Sequence, residues 1–205
     1  MSIPNSLTVL RMLLTPVFVV LLFSDSPVLK QLALPVYIVA ALTDWYDGWV
    51  ARKYGYITRW GKFLDPLADK MLAAAALLSF VALNLADAWM VWTIVLRDFL
   101  ITGLRSYAEW KDRPIITSKT AQAKTFGEFI VIYYILILYV ARFNPRVMTR
   151  YGEWVATLMN PQVLFGMILV VTLSTIGTGV MYLVDNRKFL MEIYDRAFGA
   201  PQSEG

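Results

Sequence analysis

Four aspartates are concentrated in one short stretch of the chain, TDWYDGWVARKYGYITRWGKFLDPLADK at residues 43–70. Asp44 and Asp47 are three residues apart, and Asp65 and Asp69 are four residues apart. On helices these spacings place each pair on one face. Because the chain contains no histidine and no cysteine, a metal site here would consist of oxygen ligands, which suit Mg²⁺, Mn²⁺ or Ca²⁺.

Glycine and arginine share the helical faces of these aspartates. Gly48 and Arg52 fall on the face of Asp44, and Gly61 precedes Asp65 by one turn. Glycine allows a ligand to approach the backbone closely, and arginine offers a planar fork that suits phosphate. Four carboxylates are enough for two ions, a device that clamps phosphoryl oxygens. The joint pattern predicts a metal–phosphate site, although each aspartate alone fits a salt-bridge network or an ion pathway equally well.

The composition indicates a membrane protein. Hydrophobic residues make up 58% of the 205 residues and charged residues 17%, against roughly 45–50% and about 25% in soluble domains. We predict a single all-α domain with six membrane spans, each near the ~20 residues needed to cross: 7–23, 31–51, 62–84, 88–109, 120–142 and 162–184. An interfacial helix is expected over 146–160. The tail, 185–205, is expected to hold an amphipathic stretch (189–198) and a disordered end (199–205).

Basic residues predict the orientation in the membrane. They are concentrated in the loop between spans two and three, in the loop between spans four and five, and in the tail. The positive-inside rule places these regions, both termini and the aspartates in the cytoplasm. Arg11 interrupts the first apolar run, which argues against a signal peptide. A short chain without a targeting sequence suits a bacterial inner membrane. The net charge of +4 does not predict nucleic acid as a partner, because the basic residues are interleaved with apolar segments.

The aspartate stretch resembles the signature of the CDP-alcohol phosphotransferase family. The matching positions are Asp44-x-x-Asp47-Gly48-x-x-Ala51-Arg52, eight further residues, and then Gly61-x-x-x-Asp65-x-x-x-Asp69. Further similarity to the phosphatidylglycerophosphate synthases of that family lies in IPNSLT at residues 3–8, in Arg11 and Pro16, in LRD at residues 96–98, and in Arg105, Lys119 and Lys124. Asp98 is a departure, because glutamate is expected at that position of the subfamily.

The resemblance implies a role for each matching residue of the signature. Asp44, Asp47 and Asp65 would hold Mg²⁺ or Mn²⁺, two ions in all, with Asp69 as a further ligand and the catalytic base. The residues expected to bind the CDP-lipid are Pro4, Asn5, Gly48, Arg52 and Thr58.

Three basic residues are candidates for binding the phosphate of the acceptor: Arg105, Lys119 and Lys124. Simple positive-inside topology is the alternative for all three. For Lys124, a helix pair with Glu128, four residues later, is a further alternative. Arg97 is expected either to pair with Asp98 or to line the site.

The reaction that the resemblance implies is transfer of a phosphatidyl group from CDP-diacylglycerol to sn-glycerol 3-phosphate, giving phosphatidylglycerophosphate and CMP. Cardiolipin synthesis, or the use of serine or inositol phosphate as acceptor, is the alternative within this chemistry. An ion carrier or a structural membrane protein is the alternative from another class. The family is commonly dimeric, and residues 73–76, all alanine, offer either a small-residue surface for a dimer or packing within the bundle.

Overall fold

Helices make up nearly all of the described chain. The computed structural model describes the backbone of residues 3–54, 59–110, 119–187 and 191, and their side chains except those of residues 3–7, 44–45, 47–54, 59–66, 109–110, 119 and 121. Within these ranges there are seven helices and no strand: α1 (Ile3–Phe23), α2 (Pro27–Tyr54), α3 (Arg59–Ala82), α4 (Ala88–Trp110), α5 (Lys119–Ala141), α6 (Pro145–Leu158) and α7 (Pro161–Asp185). The all-α prediction is confirmed for this part of the chain. The predicted stretches 189–198 and 199–205 lie outside the described residues, apart from Met191.

Asparagine and proline mark the starts of the last two helices. Asn144 precedes α6, and its Oδ1 accepts hydrogen bonds from the backbone N–H groups of Arg146 and Val147 at 3.1 and 3.3 Å. Asn160 caps α7 in the same way. Each is followed by proline, whose missing N–H costs nothing in the first turn. Both starts agree with the predicted segments to within one residue.

A left-handed turn ends α3 before the predicted limit of residue 84. Asn84 has φ 56°, a conformation that asparagine tolerates better than most residues. The N–H of Leu85 donates to the carbonyl of Phe80 at 2.8 Å, and the N–H of Asn84 donates to that of Val81 at 3.0 Å. This pairing is the Schellman arrangement, which satisfies the last carbonyls of a helix and stops it.

The helices surround one apolar core. α1 packs against α2 and α3, α4 packs against α3 and α7, and α5 contacts α2, α3, α6 and α7. Core side chains come from every helix and include Phe18, Tyr37, Phe80, Ile94, Ile135, Val155 and Ile168. Three of the four alanines at residues 73–76 are buried in this core, so they pack within the bundle and do not form an outer surface. α2 and α3 are in direct contact, which brings the two aspartate segments onto neighbouring helices.

The outer surface of the bundle is apolar, whereas several charged side chains are buried inside it. Val20 is 70% exposed, Leu100 65%, Phe126 69% and Val170 64%, while Arg11 and Asp98 are buried. Among the residues that the structure describes, two helical stretches are long and apolar enough to cross a membrane, Gln122–Ala141 and Pro161–Asp185, and two shorter apolar ones are Thr8–Phe23 and Pro27–Thr43. Such a distribution is expected where the solvent is lipid and the interior holds polar groups.

A helix lies where the interfacial helix was predicted, and its two faces differ. Val155 of α6 is buried in the core, and the hydroxyl of Tyr134 in α5 donates to the carbonyl of Leu158 at 2.8 Å. Trp154 points away from the bundle with 70% exposure. The backbone departs from helical geometry at Tyr151 (φ −130°, ψ 16°). Val155 thus packs inward and Trp154 faces outward; the membrane-surface location stays a prediction.

Candidate active site

The aspartate segments lie on continuous helical backbone. Residues 44–52 belong to α2, which extends to Tyr54, and residues 61–69 belong to α3, which begins at Arg59. The three- and four-residue spacings therefore act as helical spacings, and each pair of positions lies on one side of its helix. The side chains of Asp44, Asp47 and Asp65 lie outside the described residues, so the metal site itself stays a prediction.

Asp69 is the member of the four aspartates whose side chain is described. It is partly buried on α3 and takes part in an interaction within the bundle. Its carboxylate acts electrostatically on Tyr37 of α2 and on Lys70 beside it. Among the side chains that the structure describes, no group of three or more aspartates or glutamates forms a ligand cluster, as expected when three of the four predicted ligands are outside that set.

Five charged side chains converge beside Asp69, and we refer to Lys70, Arg97, Asp98, Lys124 and Glu128 as the ion cluster. Lys70 Nζ lies 2.9 Å from Asp98 Oδ2, and Lys124 Nζ lies 2.7 Å from Asp98 Oδ1. Lys124 Nζ also lies 2.7 Å from Glu128 Oε2, and Arg97 Nη1 lies 3.1 Å from Asp98 Oδ1. The carboxylate of Asp98 thus accepts hydrogen bonds from three cations on three helices.

The centre of the ion cluster is nearly inaccessible to solvent, whereas Lys70 and Arg97 at its edge are 14% and 17% exposed. The side chains of Asp98 and Glu128 are 4% exposed and that of Lys124 is 1% exposed. Charges at such depth are tolerated only when they are paired and hydrogen-bonded, because desolvation of an isolated ion costs several kcal/mol. The cluster therefore ties α3, α4 and α5 together in one arrangement.

Arg97 extends the ion cluster to α7. Its Nη2 donates to the hydroxyl of Thr178 at 2.9 Å. A Cβ atom at Gly179 would lie 3.4 Å from the Cγ and Nε atoms of Arg97, so the absence of a side chain there leaves room for the guanidinium stem. Of the two alternatives predicted for Arg97, the structure has the pair with Asp98.

The predicted acceptor residues occupy the facing ends of α4 and α5. Arg105 is partly buried in the last turns of α4, and Lys119 is the first residue of α5, with a side chain outside the described set. Lys124 is buried and bound to both Asp98 and Glu128, so the predicted helix pair is present. Its ammonium has three donors, and two of them are directed to these carboxylates; its role toward phosphate stays a prediction.

The predicted CDP-lipid residues are only partly placed. Pro4 and Asn5 lie in the first turns of α1, and Gly48 and Arg52 lie in α2, without described side chains. Thr58 lies outside the described residues. Their roles stay predictions that rest on the family signature.

Two polar residues of this region had no signal in the sequence. The hydroxyl of Thr178 accepts a hydrogen bond from Arg97, which lies 81 residues earlier in the chain. Tyr37 is completely buried, two helical turns before Asp44, and its hydroxyl has no hydrogen-bond partner within the described part of the chain. A tyrosine in an apolar run is expected to be a core residue, and the sequence does not indicate that its hydroxyl lacks a partner.

Comparison with known proteins agrees with the signature. Residues 1–172 match the family described as CDP-alcohol phosphatidyltransferase. The chain belongs to this family. The match includes the whole aspartate stretch and the ion cluster, and the family resemblance predicted from the sequence is confirmed.

Known bacterial members of this family are similar over most of the chain. A CDP-diacylglycerol–glycerol-3-phosphate 3-phosphatidyltransferase of Bacillus subtilis is 35% identical over 66% of this chain and 77% of its own length. Proteins with the same name from Rickettsia bellii and Salmonella typhimurium are 31% and 32% identical, over 78% and 74% of this chain and 89% and 82% of their own lengths.

Proposed function

We propose that this protein transfers the phosphatidyl group of CDP-diacylglycerol to sn-glycerol 3-phosphate, which yields phosphatidylglycerophosphate and CMP. The observation that carries the proposal is the complete aspartate signature on the neighbouring helices α2 and α3 of a CDP-alcohol phosphatidyltransferase. The names of the Bacillus, Rickettsia and Salmonella relatives supply the donor and the acceptor.

The reaction is a displacement at one phosphorus atom. A hydroxyl oxygen of glycerol 3-phosphate attacks the phosphorus that carries diacylglycerol, and a new P–O bond forms. The bond from this phosphorus to the CMP oxygen breaks, and CMP leaves with the electron pair. Asp69 takes the proton of the attacking hydroxyl as the general base. Its partly buried place in the signature on α3, the helix next to α2, supports this role.

The donor set of the signature fits divalent ions. The four aspartates offer only carboxylate oxygens, and the chain has neither histidine nor cysteine, a set that favours Mg²⁺ or Mn²⁺ over softer metals. Asp44, Asp47, Asp65 and Asp69 would hold two such ions. When bound, the ions neutralise pyrophosphate oxygens and the negative charge that develops on CMP.

The remaining predicted residues divide between the two substrates. Pro4, Asn5, Gly48, Arg52 and Thr58 would bind the CDP part of the donor, and Arg105, Lys119 and Lys124 would form the basic region for the acceptor phosphate. Lys124 is already bound to two carboxylates, so its third donor would make the contact with the phosphate.

The proposal includes a bacterial inner-membrane protein with six spans, its site and both termini in the cytoplasm. The apolar outer surface of α1, α2, α4, α5 and α7 supports this placement. The orientation rests on the positive-inside distribution of basic residues, and a dimer is included because the family resemblance implies it. Labelling of single introduced cysteines from each side of a vesicle tests the orientation directly, because the chain has no cysteine.

The proposed function is tested by CMP release from purified protein in detergent. CDP-diacylglycerol and Mg²⁺ or Mn²⁺ are supplied with glycerol 3-phosphate, phosphatidylglycerol, serine or inositol phosphate, and the lipid product is identified by its mass. We expect release with glycerol 3-phosphate alone, lost with a chelator and restored by excess Mg²⁺. If CMP is released with a different acceptor, glycerol 3-phosphate is not the acceptor. If folded protein releases no CMP with any acceptor, the proposed transferase activity is refuted.

A further inference from the structure

The ion cluster contains more positive than negative side chains. Lys70, Arg97 and Lys124 face two carboxylates, those of Asp98 and Glu128. The cluster therefore carries one more positive than negative charge. Asp69 directly precedes Lys70 in α3 and places a further carboxylate next to the cluster.

Two consecutive residues of α3 belong to two different structural features. Asp69 is the last position of the aspartate signature, whose first half lies on the neighbouring helix α2, while Lys70 donates to Asp98 of α4 at 2.9 Å. Successive residues of a helix are rotated by about 100° about its axis. The direction of Lys70 thus fixes the direction of Asp69, and rotation of α3 that moved one of them would also displace the other.

The bond between Lys70 and Asp98 resists such a rotation strongly. The side chains of Lys70 and Asp98 are only 14% and 4% exposed, so a turn of α3 would separate them with little water to replace the lost partner. Alanines and leucines of the core lie on the following turns of α3, and their apolar contacts can slide with much less cost. A directional ionic bond therefore resists rotation of the helix about its axis more than apolar contacts do.

We propose that Lys70 is a positioning residue, whose bond to Asp98 holds the rotation of α3 and with it the direction of Asp69 in the proposed active site. The proposal rests on the proposed function for the role of Asp69. Arg97 donates to the same carboxylate, but it belongs to α4 and its other hydrogen bond is to Thr178 of α7.

Lys70→Met and Arg97→Met form a matched pair for the test. Each removes one cation from Asp98 and leaves a long apolar side chain, but only Lys70 belongs to the helix that carries Asp69. We expect Lys70→Met to lower kcat by about tenfold or more, since small misplacement of a reacting group is costly, with the KM values for both substrates nearly unchanged. Arg97→Met should keep the wild-type kcat. Lys70→Arg, which retains the cation, should recover most of the loss.

A second readout follows α3 without reference to activity. The chain has no cysteine, so a spin label on Met71→Cys, a half-exposed position next to Lys70, reports the motion of this turn. Its spectrum should sharpen in the Lys70→Met background and stay unchanged in the Arg97→Met background. Thermal unfolding of all variants identifies losses of kcat that come from lower stability alone. If Lys70→Met does not fold, Lys70→Gln is used in its place.

The outcomes separate this proposal from the proposed function. The positioning role is overturned if Lys70→Met keeps the wild-type kcat, or if kcat falls in both methionine variants in proportion to their lost stability. The role is also overturned if the label spectrum does not respond to Lys70→Met. Wild-type protein that acts on another acceptor would refute the proposed function only, and the same comparison would then be made with that acceptor.

Discussion

Lys124 donates a 2.7 Å hydrogen bond to Asp98, a residue 26 positions earlier on another helix, and both side chains are shielded from solvent. The same ammonium bonds Glu128 at 2.7 Å, one turn later on α5. A lysine in this position is held by carboxylates on two sides, so its first role is to join α4 to α5. Any contact with the acceptor phosphate would have to use its third donor.

Removal of the Asp98 charge should destabilise the fold strongly. Asp98→Asn leaves the buried Lys124 and the partly buried Lys70 and Arg97 with Glu128 as the one carboxylate of the cluster. Loss of one partner of a buried ion pair costs about 3–5 kcal/mol. We expect a loss of that order in the free energy of unfolding, measured by denaturant titration in detergent. Asp98→Glu should lose much less, because it keeps the charge.

Asp87→Asn is the matched control for Asp98→Asn. Asp87 is exposed in the turn before α4, where asparagine is as good a helix cap as aspartate. Its unfolding free energy should remain close to that of the wild type. Equal shifts in both variants would mean that the buried ion cluster contributes no more than a surface charge.

The sequence predicted local features of this molecule and missed those that depend on packing. The segment 162–184 was predicted almost as α7 occurs, because a long apolar run is a local feature of the sequence. The pairs Arg97–Asp98 and Lys124–Glu128 were foreseen as alternatives, since their members are one and four residues apart. Lys70 pairs with Asp98 across 28 residues, and this pair was not predicted. The partner of Lys70 depends on how α3 packs against α4.

Substitution of the proposed base should stop the chemistry and spare donor binding. Asp69→Asn keeps the size of the side chain but cannot accept the proton of the attacking hydroxyl. A general base contributes typically about 10²–10⁴-fold to a rate, so we expect CMP release to fall by at least about 10²-fold. Equilibrium binding of a CDP-lipid should still be detectable. Asp25→Asn, an exposed aspartate between α1 and α2, is the control, and equal turnover in Asp69→Asn and wild type would exclude the base role.

Substitution of Arg105 should weaken binding of the acceptor and leave binding of the donor nearly unchanged. Arg105→Gln removes the charge but keeps a hydrogen-bond donor, and a bond to a charged group is worth about 1.5–3 kcal/mol. We expect the KM for glycerol 3-phosphate to rise by about tenfold or more, with little change in the KM for CDP-diacylglycerol. Arg142→Gln, at the exposed end of α5, should alter neither. A rise in both KM values would point to a disturbed fold, and no rise would remove Arg105 from the acceptor site.

Removal of the buried hydroxyl of Tyr37 should stabilise the fold, in contrast to the substitution of Asp98. Its ring packs against those of Phe18 and Tyr133, with centroids 5.1 and 5.4 Å apart, but the hydroxyl has no hydrogen-bond partner in the described part of the chain. An unsatisfied buried polar group costs about 1–3 kcal/mol. Tyr37→Phe keeps the ring contacts and should raise the free energy of unfolding by up to about that amount.

Tyr134→Phe is the matched control, because the same atom is removed from a hydroxyl that is bonded. Tyr134 donates to the carbonyl of Leu158 at 2.8 Å and thereby joins α5 to α6, and its removal should lower the free energy of unfolding by about 1 kcal/mol. Both variants are compared with wild type in the same detergent by denaturant titration. If Tyr37→Phe is destabilised as much as Tyr134→Phe, the Tyr37 hydroxyl has a partner in water or in residues beyond the described ones. If its turnover also falls while Tyr134→Phe keeps its own, that partner belongs to the active site beside Asp69.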